Sequence, residues 1–181
     1  MKFFYETERL LLKVLDGKYA GDVLKFYLSN CEIFEQYEAE RPENFYSREY
    51  QQRILNYEYS AFLRQNGVRF WIYEKTDPAR IIGTVCFRDI TRTVYQCCEI
   101  GYKFDKHFWH HGYACEAILK CLEIAFSDLH LHRITAHIMP ENTASIRLIE
   151  RTGFDREGTA RGYALIRGTW QDHLVYSIVQ P

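Results

Sequence analysis

Apolar and polar residues follow one another in a pattern that predicts a strand, a loop and a helix near the middle of the chain. The stretch Cys97–Phe104 is rich in apolar and aromatic residues and predicts a mostly buried strand. A short loop, Asp105–His111, follows it. From Gly112 onwards, apolar residues recur with helical spacing on one face and polar residues occupy the other. The apolar face consists of Ala114, Ile118, Cys121, Leu122 and Ala125, and the polar face of Glu116, Lys120, Glu123 and Ser127.

The other periodic stretches predict further strands and helices on both sides of this unit. The predicted strands are Thr7–Leu15, Val68–Glu74, Ile81–Ile90, Arg133–Met139, Phe154–Ile166 and Thr169–Val179, and the predicted helices are Tyr19–Ser29, Ser47–Gln65 and Asn142–Thr152. Ser47 and Asn142 are the expected N-caps of the last two helices. Strands outnumber helices and one helix crosses between two strands, which is typical of an α+β, mixed-sheet domain. No repeat or linker interrupts the chain, so we expect one domain over residues 1–181.

Composition narrows the classes of function. Of the 181 residues, 47% are hydrophobic, which argues against disorder and allows a packed core. The formal net charge of −1 argues against a general nucleic-acid surface. Because we find neither a signal peptide nor an apolar stretch long enough to cross a membrane, we expect a cytoplasmic protein. The six cysteines form no Cys-x-x-Cys motif, which favours free thiols in a reducing compartment. The oligomeric state stays open.

Gly112 stands where the predicted loop meets the predicted helix. A glycine at that place lets the backbone approach a bound group closely. The first amides of a helix have no partner inside it, and with the positive end of the helix dipole they suit a phosphate or pyrophosphate. Tight turns need glycine in any case, so this feature alone predicts an anion site only weakly.

The residues around Gly112 resemble a known family. The stretches Glu99–Tyr102 and Trp109–Ala117 are similar to the acetyl-CoA-binding segment of the GNAT N-acetyltransferases, more narrowly to the RimJ/RimL-like branch that acetylates ribosomal-protein N-termini. Gly112 and Ala114 match that segment's Gln/Arg-x-x-Gly-x-Gly/Ala pattern. Trp109 replaces the leading Gln or Arg, and His110 stands where this branch often has glycine. Other stretches that resemble this branch are Thr7–Leu12, Arg151–Phe154, Glu157–Gly158 and Trp170–His173.

The resemblance covers nearly the whole chain and implies a fold and a cofactor. A GNAT domain has a twisted, mostly antiparallel sheet, here of about seven strands flanked by about four helices. Its fourth and fifth strands, Cys97–Phe104 and Arg133–Met139 in this chain, would splay apart. The resemblance also implies acetyl-CoA as the acetyl donor and no metal.

The resemblance places the cofactor on the unit described first. The pantetheine arm of acetyl-CoA would pair with the edge of the fourth strand, as an added strand does. Gly101 would leave room for the arm, although a glycine in a strand equally indicates a β-bulge. The residues implied in cofactor binding are Ile100, Gly101, Tyr102, His107, His110, His111, Gly112, Tyr113, Ala114 and Asn142.

Asn142 and Ser145 match an Asn-x-x-Ser version of the family's site. In that version the Asn holds the cofactor arm and the Ser hydroxyl lies beside the thioester sulfur. The same spacing at the start of a helix is also ordinary capping chemistry. Many members use a Tyr one turn later as the acid, but Ile149 stands at that position here and cannot donate a proton. Ser145 is therefore the candidate contact of the leaving thiolate.

Glutamates are the candidates for handling the acceptor amine. Glu99 is a carboxylate in a strand that otherwise looks buried, where burial would raise its pKa toward that of a useful base. The alternative is an outward-facing side chain on a half-exposed strand. Glu38 and Glu40 lie in a loop that often borders the acceptor in this fold and would bind an ammonium group through charge. Since Glu35 and Glu43 are also nearby, a merely solvated acidic loop stays possible.

Histidines cluster in the loop before Gly112. His107, His110 and His111 can place ligands together, but no Cys or carboxylate stands at a familiar zinc spacing with them. We therefore expect neighbours of a phosphate and no metal site. His137 and His173 are expected to be core or strand-surface residues.

The sequence thus predicts an acetyl-CoA-dependent N-acetyltransferase whose acceptor is the α-amino group of a protein, such as a ribosomal protein. A peptide would lie in a groove between the second-helix region and the last strands. One alternative keeps the fold and acetylates a small amine, such as a polyamine, an amino acid or an aminoglycoside. Another is a non-catalytic acyl-CoA-binding module, which would need neither Glu99 nor Ser145.

Overall fold

The computed structural model describes residues 1–180, which form eight β-strands and five α-helices. The strands are β1 (Phe4–Glu6), β2 (Leu10–Lys13), β3 (Val68–Glu74), β4 (Asp77–Thr91), β5 (Cys97–Phe104), β6 (Arg133–Ile138), β7 (Asp155–Ile166) and β8 (Thr169–Val179). The helices are α1 (Ala20–Ser29), α2 (Cys31–Phe34), α3 (Arg48–Leu63), α4 (Tyr113–Ser127) and α5 (Thr143–Arg151). Short 3₁₀ turns occur at Gly17–Tyr19 and Lys106–Phe108.

The strands form one sheet in the order β1-β2-β3-β4-β5-β6-β8-β7. All neighbours are antiparallel except β5 and β6, which are parallel. β5 pairs with β6 only over Cys97–Glu99, but it stays paired with β4 up to Phe104. The two strands therefore separate after Glu99, which confirms the predicted splay. One edge of β5 lies open in the middle of the sheet.

Helices cover both faces of this sheet. On one face Ile118 of α4 and Ile149 of α5 belong to the same buried cluster as Phe70 of β3. On the other face Phe26 of α1 and Leu55 of α3 belong to a second cluster, which contains Trp71 of β3. Neighbouring residues of one strand thus serve opposite cores, as the pleat of a strand requires.

The same alternation fixes which β5 side chains face α1 and α3. Cys98 and Ile100 belong to the cluster under α4 and α5. Glu99, Gly101 and Lys103 lie between such positions and face the side covered by α1 and α3. On β6, Ile134, Ala136 and Ile138 belong to the α4 side, so Thr135 and His137 share the face of Glu99.

The mixed α/β fold class is confirmed, with one strand and one helix more than expected. The extra strand is β1, which precedes the predicted strand Thr7–Leu15. It forms a hairpin with β2 through a turn in which Thr7 Oγ1 accepts the Leu10 amide at 2.9 Å. The extra helix is the single turn α2, in a segment without clear periodicity.

The capping predictions are confirmed at the helix starts. Ser47 Oγ accepts the Tyr50 amide at 3.2 Å, and Asn142 Oδ1 accepts the Ser145 amide at 3.1 Å. All six cysteines are free, as predicted, and burial raises the pKa of the Cys98 and Cys121 thiols. Among residues 1–180, we find no helix of the length and apolarity needed to cross a membrane.

Candidate active site

The N-terminus of α4 has the geometry of an anion site. Gly112 is the N-cap residue and has a left-handed backbone with φ of 80°, which favours glycine. The Glu116 amide is the first to donate back into the helix, to the Gly112 carbonyl at 3.0 Å. The amides of Tyr113, Ala114 and Cys115 precede it and have no partner inside the helix. They are available to a phosphate at the positive end of the helix dipole.

Arg9 links the β1–β2 turn to the start of α4. Its Nη1 donates to the His111 carbonyl at 3.0 Å, and its Nε donates to Glu116 Oε2 at 2.7 Å. Its guanidinium lies 4.6 Å from the centre of the Tyr113 ring. The sequence argument did not assign Arg9 to the site, although Thr7-Glu8-Arg9 belongs to a stretch that carried the family resemblance. Arg9 thus holds the loop beside Gly112, with its charge paired to that of Glu116.

The loop histidines lie around this site without forming a metal centre. His107 Nδ1 is 2.9 Å from Asp105 Oδ1, and His111 stacks on Tyr113 with ring centres 5.9 Å apart. His110 is exposed and has φ of 64°. No group of three His, Cys, Asp or Glu side chains in the described part of the chain is arranged to hold a metal ion. Their place beside the anion site fits neighbours of a phosphate.

The open edge of β5 leads from this loop into the sheet. Ile100, Gly101 and Tyr102 pair with β4 on one side and have no strand partner on the side of β6. Gly101 lies in regular register opposite Cys86, so it is not a bulge residue. A Cβ there would approach Cys86 Sγ to 3.2 Å, so packing on β4 also favours glycine. The free backbone groups can bind an extended, amide-containing chain as an added strand would.

The start of α5 lies against this edge. The Tyr102 hydroxyl donates to the Ser145 carbonyl at 3.1 Å and so joins β5 to the first turn of α5. Asn142 uses its side-chain oxygen for the cap, which leaves its amide nitrogen for a ligand. Ser145 is partly exposed at the first turn of α5. Capping and a cofactor contact are therefore compatible at this helix start.

Glu99 is buried, but the expected rise of its pKa is wrong. Oε1 pairs with Arg88 Nη2, and Oε2 accepts the Tyr163 hydroxyl at 3.1 Å and lies 3.4 Å from His137 Nδ1. Burial alone would raise the pKa of Glu99, but the contacts with His137 and Arg88 outweigh it and lower the pKa to about 2. Glu99 therefore stays ionised and is a weak proton acceptor. This result corrects the expectation from the sequence.

Two histidines and a tyrosine complete the cluster around Glu99. The His137 ring stacks on Tyr163 with centres 4.2 Å apart, and Tyr163 lies 4.9 Å from the ring of His173. Burial lowers the pKa of His173. Sequence analysis missed this arrangement because its members come from five different strands. Each member is a polar residue on the same face of its strand. This shared position can be recognised only when the register of the strands is known.

The acidic loop before α3 also differs from its expected state. Glu38 was expected to offer a free negative charge, but it pairs with Arg41 at 2.8 Å and with Lys103 of β5. Burial would raise the pKa of Glu38, and the two cations lower it overall. Glu40 is exposed and has no ion-pair partner within residues 1–180. Of the two glutamates, only Glu40 presents an uncompensated charge.

A cleft of about 580 Å³ lies between this loop and the β7–β8 turn. Arg167 and Gly168 line it from the turn. The loop contributes Glu35, Glu38, Ala39, Glu40, Arg41, Pro42, Glu43 and Tyr46. Through the Glu38–Lys103 pair, the lining of the cleft is joined directly to the open part of β5. The position agrees with the groove predicted between the second-helix region and the last strands.

Comparison with known proteins places this geometry in a family. Residues 9–155 match the family described as acetyltransferase (GNAT) domain. The probable N-acetyltransferase YjcK of Bacillus subtilis is 34% identical over 172 residues, which cover 95% of this chain and 94% of that protein. The [ribosomal protein uS5]-alanine N-acetyltransferase of Escherichia coli is 29% identical over 178 residues, with 97% and 90% covered.

A solved structure shows the same fold. The ribosomal-protein-S5-alanine acetyltransferase from Vibrio fischeri superimposes with a TM-score of 0.92. The match covers 99% of this chain and 100% of that one at 25% sequence identity. The two chains therefore share one fold over nearly their full length.

Proposed function

The chain belongs to the GNAT N-acetyltransferase family, and we propose that its acceptor is the α-amino group at the N-terminus of a protein, such as a ribosomal protein. As a GNAT acetyltransferase it uses acetyl-CoA as the donor and an amine nitrogen as the acceptor. The observation that carries the proposal is the cleft between the acidic loop and the β7–β8 turn, which adjoins the open edge of β5. The similarity to enzymes named for ribosomal-protein alanine acetylation supports it.

The donor would lie along the elements already described. The amides at the start of α4, with Arg9 beside them, would hold the pyrophosphate. The backbone of Ile100–Tyr102 would pair with the pantetheine arm and bring the thioester to the mouth of the opening. The amide nitrogen of Asn142 would hold the arm from the side of α5.

Acetyl transfer then needs few protein groups. The neutral amine attacks the thioester carbonyl carbon, a C–N bond forms, and the carbonyl oxygen gains negative charge. When the tetrahedral intermediate collapses, the C–S bond breaks and the thiolate of CoA leaves. We assign the contact with this thiolate to the hydroxyl of Ser145, which is partly exposed at the first turn of α5.

The chemistry of the amine favours an N-terminus over a lysine. An α-amino group has an ordinary pKa of about 7.7 to 8.0, so a useful neutral fraction exists near neutral pH. A lysine side chain, at about 10.4, would be almost fully protonated. The exposed glutamates of the cleft, Glu40 and Glu43, would attract the ammonium form before it loses its proton. We further propose that the enzyme acts in the cytoplasm as a single domain over residues 1–181.

Thiol release from acetyl-CoA tests the acceptor. One panel contains peptides of ribosomal-protein N-termini, each with a matched copy whose α-amine is already acetylated and whose lysines are unchanged. A second panel contains polyamines, amino acids and aminoglycosides. We expect kcat/KM for at least one free-N-terminus peptide to exceed that of every small amine by tenfold or more, with the blocked copies inactive. A small amine that surpasses all peptides would overturn the protein acceptor and leave the acetyl transfer intact.

A further inference from the structure

A cluster of titratable side chains stands at the point where β5 and β6 separate. Glu99 belongs to the last paired position of β5, opposite Thr135. His137 follows Thr135 by two residues on the same face of β6, and Gly101 follows Glu99 by two on β5. His137 and Gly101 therefore flank the mouth of the opening on the face that the acceptor approaches. A group carried at this mouth would meet His137 from the side opposite α4 and α5.

The contacts of His137 leave one ring nitrogen for chemistry. Its Nδ1 is buried, makes no hydrogen bond within residues 1–180, and lies 3.4 Å from Glu99 Oε2. A small rotation of the ring gives an Nδ1–H that donates to this carboxylate. Tyr163 fixes the plane of the ring by stacking on it at 4.2 Å, nearly parallel at 9°. Nε2 is then unprotonated and can accept a proton.

We infer that His137 is the residue that takes the proton from the attacking amine, and that Glu99 positions it. The inference rests on the proposed function only in needing an amine acceptor. As the C–N bond forms, the nitrogen becomes positively charged and its proton passes to His137 Nε2. The thiolate of CoA leaves with the electrons of the C–S bond and takes up one proton, and His137 returns its proton to solvent or to the thiolate.

The surroundings of His137 suit this role. Glu99 stays ionised because Arg88 and His137 hold its pKa near 2, so it can stabilise an imidazolium without taking the proton itself. Arg88 on β4 is positive but pairs with the other oxygen of Glu99. Burial and Glu99 raise the pKa of Tyr163 on β7 to about 12, so Tyr163 stays neutral, and burial lowers the pKa of His173 on β8. Beyond this ring of groups, Glu141 follows β6 and is exposed.

The test compares His137→Gln with His132→Gln. His132 is an exposed histidine just before β6, so its replacement controls for loss of a histidine near the same strand. The acceptor used in this test should have an amine whose pKa lies below the whole pH range studied. Any fall of kcat/KM at low pH (the acid limb) then reports a group of the enzyme. We expect His137→Gln to lower kcat about 100-fold and to abolish the acid limb of kcat/KM. Acetyl-CoA affinity should stay within twofold, and His132→Gln should behave as the wild type.

A second variant separates chemistry from folding. His137→Ala leaves a gap beside Tyr163. Added imidazole should raise the kcat of this variant at least tenfold without changing its affinity for acetyl-CoA. If His137→Gln keeps the acid limb, or if imidazole gives no rescue of folded His137→Ala, the inference is wrong. Failure of the proposed function looks different. The wild type would then prefer a small amine over every peptide, and the same His137 measurements would be made with that amine.

Discussion

Glycine is favoured at position 112 for two reasons, its left-handed backbone conformation and its place beside the proposed anion site. Its φ of 80° is costly for any residue with a Cβ, and a Cβ there would come within 3.4 Å of Arg9 Nη2. Gly153, after α5, has φ of 91° and a comparable clearance of 3.6 Å from Ile178. The two glycines are therefore similar in backbone strain and in the space around them, but only Gly112 borders the proposed anion site. They form a matched pair for mutation.

Replacing each of these glycines by alanine separates strain from binding. We expect both variants to lose about 1 to 2 kcal/mol of unfolding free energy, because both put a Cβ into the left-handed region. Gly112→Ala alone should weaken acetyl-CoA binding by tenfold or more, because the added methyl crowds the approach of a phosphate to the amides. Calorimetric titration with acetyl-CoA, alongside urea unfolding, provides both numbers. Equal affinities in the two variants would place the pyrophosphate elsewhere.

Residue-level prediction from the sequence succeeded where the signal is local. Gly112, Ser47 and Asn142 act within a few residues of their own position, through a turn or a cap, and the structure confirms these local roles. The predicted rise in the pKa of Glu99 was wrong because that pKa is lowered by His137 and Arg88, which reach the carboxylate from two other strands. Burial could be predicted from the strand pattern, but the partners that reverse its effect could not.

At the level of elements, the loop between α2 and α3 was unpredictable for a related reason. It has no periodicity, and its organisation comes from Arg41, which lies over the rings of Tyr27, Phe45 and Tyr46. Glu38 is held by Arg41 and by Lys103 of β5. The loop is thus fixed to α1 and to the sheet by a cation that no local pattern assigns. Its four glutamates differ in role even though they look alike in the sequence.

Single substitutions in this loop distinguish these roles. Glu38→Gln leaves Arg41 and Lys103 without their shared carboxylate, and since the Arg41 side chain is only 8% exposed, we expect a loss of about 2 kcal/mol of unfolding free energy. Glu40→Gln changes an exposed charge and should alter stability by less than about 0.5 kcal/mol. It should instead raise the acceptor KM twofold to fivefold, more at low salt, with acetyl-CoA affinity unchanged. Should KM stay constant, Glu40 is only solvated surface.

The strand, loop and helix beside the splay between β5 and β6 are the elements that sequence patterns predicted best. The strand, loop and helix from Cys97 to Ser127 were predicted nearly to their observed bounds, because each has a distinct period and Gly112 separates loop from helix. The separation of the strands itself came from the family resemblance, since no residue pattern states where pairing stops. The β1–β2 hairpin was missed because β1 has only three residues.

For the molecule as a whole, Glu99 ties together the strands on both sides of the opening. It lies on β5, and its partners come from β4, β6 and β7, so one carboxylate contacts strands on both sides of the splay. Several other carboxylates with lowered pKa also join distant segments, among them Asp105 with Arg80 and Glu116 with Arg9. Ionised carboxylates therefore contribute to the tertiary structure by pairing segments that are distant in the sequence.

The dependence of stability on pH follows from this arrangement. The folded pKa of Glu99, about 2, lies below its unfolded value of 4.5, so its stabilising contribution is present above pH 4.5 and is lost as the pH falls toward 2. Because Arg88 is 58% exposed and screened by solvent, we expect the contribution to be about 2 kcal/mol. Urea unfolding of wild type and Glu99→Gln between pH 7 and pH 3 measures it.

The difference between the two proteins isolates Glu99 from the other carboxylates. Those groups titrate in both proteins and cancel, so the destabilisation caused by Glu99→Gln should be largest at pH 7 and shrink steadily below pH 4.5. Glu123→Gln on α4 is the control, since the Glu123 side chain is 63% exposed and its ion pair with Lys120 should contribute little. A destabilisation by Glu99→Gln that stays constant down to pH 3 would mean that Glu99 stabilises the fold through packing or neutral hydrogen bonds. The carboxylate would then not supply the negative charge that His137 needs beside it. The same result would contradict both the ionic contribution of Glu99 to stability and its proposed positioning of His137.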